Sequence, residues 1–414
     1  MPELHLQVVR TMASILATFI SAMLLIIIAV PVLYWTILAL FSVKPAMPVE
    51  LSSRPTSRFI VAIPAHNEET VIARTVERLL QIDYPSDHYQ VHVVADHCSD
   101  STASIAQEAG ALVHERSSGP RTGKGAALSW LLARVLQDPF SADAVVIFDA
   151  DTVVDAKFLR VMDARLSTGS LAIQGQHIIS NPEAGWFPSL TWAMFIIDNR
   201  FQNLGRTNLR WSAKNMGDSI CFASSVLRES GWGQGLTEDY QLRQKLLLSG
   251  VRIDYEVEAK GYGEAPRTWS QAQAQRARWL RGTHDASQQF SGDLFRESIR
   301  QRNAMLLDGA FQAKLPSYST LTMISASLLV LQALANNFLG SLFAWPVVAV
   351  WALVVFLLFL YPFLGLALER APARAYFVIL TGPLFVLWRT GLAMNSRLGR
   401  REVVWIRTAH GEQR

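Results

Sequence analysis

Charged residues vanish from the chain twice, over residues 11–43 and again over 315–368, and a polar middle separates the two apolar runs. Each run exceeds the roughly 20 apolar residues that cross a hydrocarbon core. The first reads as one retained helix with Pro31 as its candidate kink. It is about twice as long as the usual 7–15 residue core of a signal peptide, and no small-residue cleavage pattern follows. The second is long enough for two spans, with Asn336-Asn337 to Gly340 as the turn between them. A third apolar stretch, 376–394, contains Pro383 and Arg389. A central arginine costs roughly 2.5–3.5 kcal/mol to insert, so this stretch reads as an interfacial or half-inserted helix.

Inside the polar middle, β-branched runs at 59–63, 91–95, 111–114 and 144–148 predict strands, and the patterns at 69–81, 101–109 and 123–137 predict helices between them. Such alternation implies right-handed crossovers and a mostly parallel α/β sheet that binds ligands at the carboxyl ends of its strands. The expected organisation is a membrane helix at 1–43, a linker at 44–58, an α/β domain at 59–290 and interfacial helices at 291–316. Two spans at 317–369 follow, then an interfacial helix with a basic tail at 370–414. Lys44, Arg54 and Arg58 against Glu50 give the linker a basic excess, which places the middle domain in the cytoplasm of a multi-pass plasma (inner) membrane protein.

Composition narrows the class. Net charge is only +4, and the basic residues are scattered rather than gathered into a block with aromatics, so nucleic acid is not expected as a partner. Cys98 and Cys221 are the only cysteines, too few for a disulfide framework or a zinc cluster.

The chemistry-bearing residues follow the predicted strands. The first strand runs into Pro64-Ala65-His66-Asn67-Glu68-Glu69 and the second into Asp96-His97-Cys98-Ser99-Asp100, either of which could be mere helix capping. The fourth runs into Asp149-Ala150-Asp151, and extended-chain alternation points both aspartates to one side. Two anions this close call for a cation between them. Mg2+ or Mn2+, held by carboxylate oxygens, would also neutralise a diphosphate, whereas a plain acidic surface turn is the bland alternative.

In Leu236-Thr237-Glu238-Asp239, Thr237 as N-cap with acids in the first turn explains the pattern structurally, and Asp239 as general base explains it functionally. Gln275, Arg278 and Trp279 fall on one helical face, a guanidinium for phosphate oxygens beside an indole for a sugar ring. A membrane-interface tryptophan with flanking arginines would look the same. Lys124, between Gly123 and Gly125, is either a phosphate-binding lysine or a solvated one in a flexible loop. His66 and His97 lack any metal-ligand spacing.

In this order, Pro64-x-His66-Asn67-Glu68, Asp96, Gly123-Lys124-Gly125, Asp149-x-Asp151, Thr237-Glu238-Asp239 and Gln275-x-x-Arg278-Trp279, the motifs resemble those of membrane-embedded glycosyltransferase family 2 over residues 58–282. That family includes cellulose, chitin-oligosaccharide, hyaluronan and poly-N-acetylglucosamine synthases. The resemblance implies a GT-A-type fold and inverting transfer from a nucleotide-sugar donor, most commonly a UDP-sugar, with Mg2+ or Mn2+. It places Ala65, His66, Glu68 and Asp96 at the nucleotide, Lys124 and Asp149 at the donor, and Asp151 on the metal. It makes Asp239 the base with Glu238 beside it, sets Arg278 at the diphosphate and Trp279 under the acceptor sugar with Gln275 among the substrate-binding residues, and puts Cys221 at the acceptor terminus.

The product expected first is a β-linked poly- or oligosaccharide. With about three spans, a channel for it would be shared between protomers or with an export partner. The runner-up is transfer of one sugar to a lipid, as in ceramide glucosyltransferases, and a third reading is a non-catalytic scaffold with a degenerate transferase domain.

Overall fold

The computed structural model describes residues 2–398. Helix α1 (Pro2–Ser42) is a single helix with Pro31 inside it. The central domain then runs β1 (Phe59–Ala65), α2 (Ile72–Leu80), β2 (Tyr89–Asp96), α3 (Thr102–Glu108), β3 (Leu112–Arg116), α4 (Lys124–Val135) and β4 (Ala144–Ile147). It continues through β5 (Val153–Val154), α5 (Phe158–Ser167), β6 (Ala172–Ile179) and α6 (Trp186–Asp198), which passes through a π-helical segment (Asn199–Leu204) into α7 (Gly205–Asn208). Strand β7 (Ile220–Ala223), α8 (Ser224–Ser230), α9 (Glu238–Leu248) and β8 (Ile253–Gly263) complete the α/β part. Seven strand runs and helices expected from the pattern recur here within a few residues at their ends.

The remaining elements are helical: α10 (Trp269–Arg300), α11 (Ala304–Lys314), α12 (Tyr318–Leu339), α13 (Trp345–Leu368), α14 (Ala373–Leu380) and α15 (Gly382–Leu398). α10 runs unbroken across residue 290, where a domain edge was expected. The third apolar stretch is split at Thr381 into α14 and α15. Of the basic tail expected from Arg397, residues 399–414 lie outside the described residues.

The strands form one sheet in the order β3-β2-β1-β4-β7-β6-β8-β5. β3, β2, β1 and β4 are mutually parallel, β7 runs antiparallel to both β4 and β6, and β6 pairs parallel with β8. Alternation along β1 sends Phe59, Val61 and Ile63 into a core under α2 and α5, and Ile60 and Ala62 into a second core under α4 and α9. Burial on both faces is why these strands read as continuous apolar runs rather than alternating ones.

α1, α12 and α13 are the three described helices long and apolar enough to cross a membrane. They share a third core built on Ile28, Trp35, Leu38, Leu321, Trp351 and Leu358. The Trp351 indole donates to Ser21 Oγ at 2.9 Å, and Ser21 donates to Gln332 Oε1 at 2.8 Å, so their polar groups are satisfied within the bundle.

Candidate active site

β1 is flanked by β2 on one side and β4 on the other, so the chain reverses its direction of travel across the sheet at this strand. A crevice opens at such a switch point. The parallel register sets Ala65 beside Ala95, which brings the turn after β1 against Asp96 at the end of β2. The register of Ala62 with Ile147 sends β4 to the same edge and delivers Asp149 and Asp151 there.

A cleft lies at this edge. Ala65, His66, Glu68 and Asp96 line it from β1 and β2, and Lys124, Asp149 and Asp151 from α4 and the turn after β4. Glu238, Asp239, Gln275, Arg278 and Trp279 close it from α9 and α10. Cys221 does not reach it. Strand β7 buries that side chain completely in the core beneath α2 and α5, so the contact with an acceptor expected for it is corrected to a packing role.

The first wall is held by ions and imidazoles. Asp96 is buried and its Oδ1 accepts from Arg116 Nη1 and, at 2.9 Å, from His97 Nδ1. His66 donates from Nδ1 to the Asp96 carbonyl at 2.6 Å and accepts from Arg121 Nη1 at Nε2. Both histidines are therefore satisfied by protein groups, which agrees with their lack of metal spacing.

Lys124 is the first residue of α4, and its ammonium donates to Asp149 Oδ1 and to the Gly217 carbonyl. Burial would lower its pKa, but Asp149, Glu238 and Asp218 together raise it, so the lysine is a fixed cation facing three carboxylates. It is not the solvated loop residue that the glycine-flanked pattern allowed.

The Asp149 turn is clamped from below by a residue the sequence did not single out. Asp218 is buried at the end of the segment leading into β7, and its Oδ1 accepts from Asp149 N at 2.9 Å and from Thr152 Oγ1 at 3.0 Å. Its other oxygen accepts from His177 Nδ1 at 2.6 Å. The His177 bond and charge, then Lys124, hold the Asp218 carboxyl below its usual range against the opposing effect of burial. Asp151 accepts from Glu264 N at 3.3 Å, and Glu264, also unanticipated, lines the cleft.

Thr237 holds the N-cap position of α9, with Glu238 and Asp239 in the first turn, but its hydroxyl makes no capping hydrogen bond and is buried without a partner. Glu238 and Asp239 are consecutive carboxyls under cover. Burial and then the Asp239 charge push Glu238 up to about 7. Burial also raises Asp239, opposed by the Tyr240 N–H that it accepts at 2.7 Å and by the Lys124 and Arg278 charges. Arg278 donates to the Leu236 carbonyl at 3.1 Å, fastening α10 to the segment before α9.

Among the described residues no group of three or more His, Cys, Asp or Glu could hold an ion unaided. Asp149, whose Oδ1 accepts from Lys124, and Asp151 line the cleft together, a donor set of the kind that holds a hard divalent ion when phosphate oxygens and water supply the rest.

Residues 55–282 match the family model described as "Glycosyltransferase like family 2". The chain belongs to glycosyltransferase family 2. Its curated relatives include beta-monoglucosyldiacylglycerol synthase of Synechocystis sp., 28% identical over 258 residues, covering 58% of this chain and 50% of that one. Poly-beta-1,6-N-acetyl-D-glucosamine synthase of Staphylococcus aureus is 26% identical over 237 residues, 54% of each chain. The matched region thus spans about half the length of these relatives. Among solved structures, the mannosyltransferase PcManGT of Pyrobaculum calidifontis, in complex with GDP-Man and Mn2+, superposes over 96% of this glycosyltransferase and 98% of its own chain, with a TM-score of 0.54 and 17% identity. At that identity the likeness speaks for the fold, GT-A-like and extending through the flanking helices.

Proposed function

We propose that this glycosyltransferase moves a sugar, with inversion, from a nucleotide-diphosphate donor onto an acceptor hydroxyl at the surface of a membrane. The observation that carries the reading is the convergence on one cleft of the Asp149-Asp151 pair, Lys124, Arg278 and Asp239. Ala65, His66, Glu68 and Asp96 would cradle the nucleoside, a uridine in the commonest case. Asp149 and Asp151 would hold Mg2+ or Mn2+, which supplies charge neutralisation for the leaving diphosphate. Lys124 and Arg278 would supply positive charge to the same oxygens, and guanidinium suits them by bidentate geometry.

Asp239 accepts the proton of the attacking hydroxyl as the new bond to the anomeric carbon forms and the bond to the diphosphate breaks. Attack from the face opposite the leaving group gives a β-linkage from an α-linked donor. Trp279 offers an apolar platform to the acceptor. The three span-capable helices carry the domain on a plasma (inner) membrane, with the cleft on the cytoplasmic side in keeping with the basic linker.

The acceptor read from the Gln275-x-x-Arg278-Trp279 face is a growing saccharide. Transfer of one sugar to a lipid is the second reading, and it is favoured by the small number of span-capable helices, which leave little wall for a private export channel. Purified full-length protein supplied with a panel of labelled nucleotide sugars and Mg2+ or Mn2+ tests both. A ladder of products supports the saccharide, and a single glycolipid band supports the lipid. Asp239→Asn is expected to lower kcat by about 10^2–10^4-fold while nucleotide-diphosphate binding persists. Chelation by EDTA is expected to abolish transfer and added Mn2+ to restore it. Full transfer by Asp239→Asn would remove the aspartate base from the mechanism.

A further inference from the structure

Trp279 marks one wall of the cleft, and behind it lies a set of cations that the transfer reaction does not use. The Arg276 guanidinium sits 4.6 Å from the centroid of the Trp279 ring and within 5.7 and 5.8 Å of Phe187 and Phe385. The residue is 7% exposed, and its Nε and Nη2 have no hydrogen-bond partner. Arg389 of α15 likewise buries an Nε without a partner. Burial first, and then the Arg389 charge, push Arg276 down to about 9, and α15 packs against α10 where Phe385 meets the Arg276 guanidinium.

The available anion is already shared. Asp198, at the end of α6, is the carboxylate whose charge reaches both arginines, and it pairs with Lys214 at 2.6 Å. The Asp198 and Lys214 side chains keep 38% and 26% of their surface, so solvent reaches this pair.

Aromatic rings attract a guanidinium through its faces, but they leave its in-plane N–H groups unbonded. A buried N–H without an acceptor is costly, and like charges side by side add to the cost. What the arrangement lacks is a second oxyanion with several acceptor atoms, and a phosphate matches two arginine forks better than a carboxylate ion does. The approach to it is apolar: Leu384 and Leu387 of α15 are 66% and 62% exposed, and beside them Trp269 stacks on Trp186 and lies tilted against Trp388. An anion that arrives with an apolar tail is a lipid head group.

We propose that Arg276 and Arg389 form a phosphate subsite for the acceptor, so that the hydroxyl presented to Asp239 belongs to a phosphate-bearing lipid. The assignment rests on the second, lipid-acceptor reading above and specifies its substrate class. The sugar's new bond is to the head-group hydroxyl, the donor's diphosphate leaves, and the hydroxyl proton passes to Asp239, so no further reactant is needed.

Binding tests the subsite without knowledge of the donor. The full chain in maltoside micelles, which contain no phosphate, is titrated with dihexanoyl-phosphatidylglycerol, dihexanoyl-glycerol and glycerol 3-phosphate. The phospholipid is expected to bind about 10-fold or more tightly than either the neutral lipid or the tail-less phosphate, and Arg389→Gln and Arg276→Gln to erase that preference, with Arg276→Lys retaining part of it. Equal affinity for the neutral lipid overturns the phosphate subsite, and equal affinity for glycerol 3-phosphate overturns the lipid assignment.

A variant that weakens all three ligands by the same factor assigns the arginines a structural role instead. Since Arg389 lies on a peripheral helix, its variant decides the matter if Arg276→Gln fails to fold. Transfer is read in parallel. Donor cleavage with glycosylated dihexanoyl-glycerol but no glycosylated phospholipid contradicts this subsite alone, whereas intact donor under every condition, with the phospholipid still bound, contradicts the transfer reaction alone.

Discussion

Glu238 is the residue whose ionisation is most exposed to test. Burial, then the adjacent Asp239, lift its carboxyl from an ordinary 4.5 to about 7. The folded chain thus holds this proton more tightly than the unfolded chain does. Its stabilising contribution is complete below about pH 4.5 and is lost as pH rises through about 7. The unfolding midpoint of the wild type minus that of Glu238→Gln, measured without donor or metal, is expected to fall steadily over that window. A difference that stays flat would show that Glu238 is already ionised in the fold.

At this scale the sequence was most legible where a short motif directly follows a strand. Asp149, Asp151 and Asp239 could be named because each motif places acids at a strand end or a helix start. Asp218, His177 and Glu264 could not, because each stands alone in sequence and gains its meaning only when β7, β6 and β8 are laid beside β4. Cys221 was misassigned for the complementary reason: the family resemblance at that one residue pointed to an acceptor, but alternation along β7 turns its side chain into the core.

At the scale of elements, the cleft depends on how closely α10 lies over the segment leading into α9. Gly282 makes that approach possible, since a Cβ there would meet Thr237 Cγ2 and Oγ1 at 2.7 Å and its backbone N at 2.9 Å. Gly282→Ala improves the intrinsic helix propensity of α10 by about 1 kcal/mol, yet it must push the helix off Thr237. Arg278 and Trp279 ride on the same helix, so kcat is expected to drop by about 10–100-fold while the unfolding midpoint changes little. Steady-state kinetics beside a melting curve separate the two effects, and unchanged kinetics would mean that the helix spacing is not what sets the cleft.

The parallel half of the sheet was readable from periodicity because β1, β2 and β4 are buried on both faces. The antiparallel half was not, since β5 has two residues, β7 has four and β6 is separated from β8 in the chain by α6 to α9 and β7. The register shift in the β6–β8 pair, between Gly175 and Gln176, leaves no local signature either.

Across the whole molecule, the α/β domain and the apolar helices are joined by a buried ionic knot. Asp308 of α11 accepts from Arg206 Nε of α7 at 3.2 and 3.1 Å and from Tyr34 OH of α1 at 2.6 Å. Arg243 of α9 approaches the same carboxylate at 3.4 Å, and Arg206 also donates to the Tyr34 hydroxyl. Asp308→Ala leaves two buried guanidiniums without their shared carboxylate, and is expected to destabilise the protein by about 3–5 kcal/mol. Thermal or denaturant unfolding in detergent measures it, and a loss below about 1 kcal/mol would show that water reaches the knot and replaces the carboxylate.

Beside the knot, Gly205 presses against α1 so tightly that a Cβ on it would lie 2.4 Å from the Leu38 carbonyl oxygen. Backbone touches backbone there, with no side chain between them to act as a cushion. If α1 is embedded in a lipid bilayer, the cleft is therefore pinned at one height above it, and the enzyme works like a tool bolted to a bench: whatever receives the sugar has to bring its reacting oxygen up to that height.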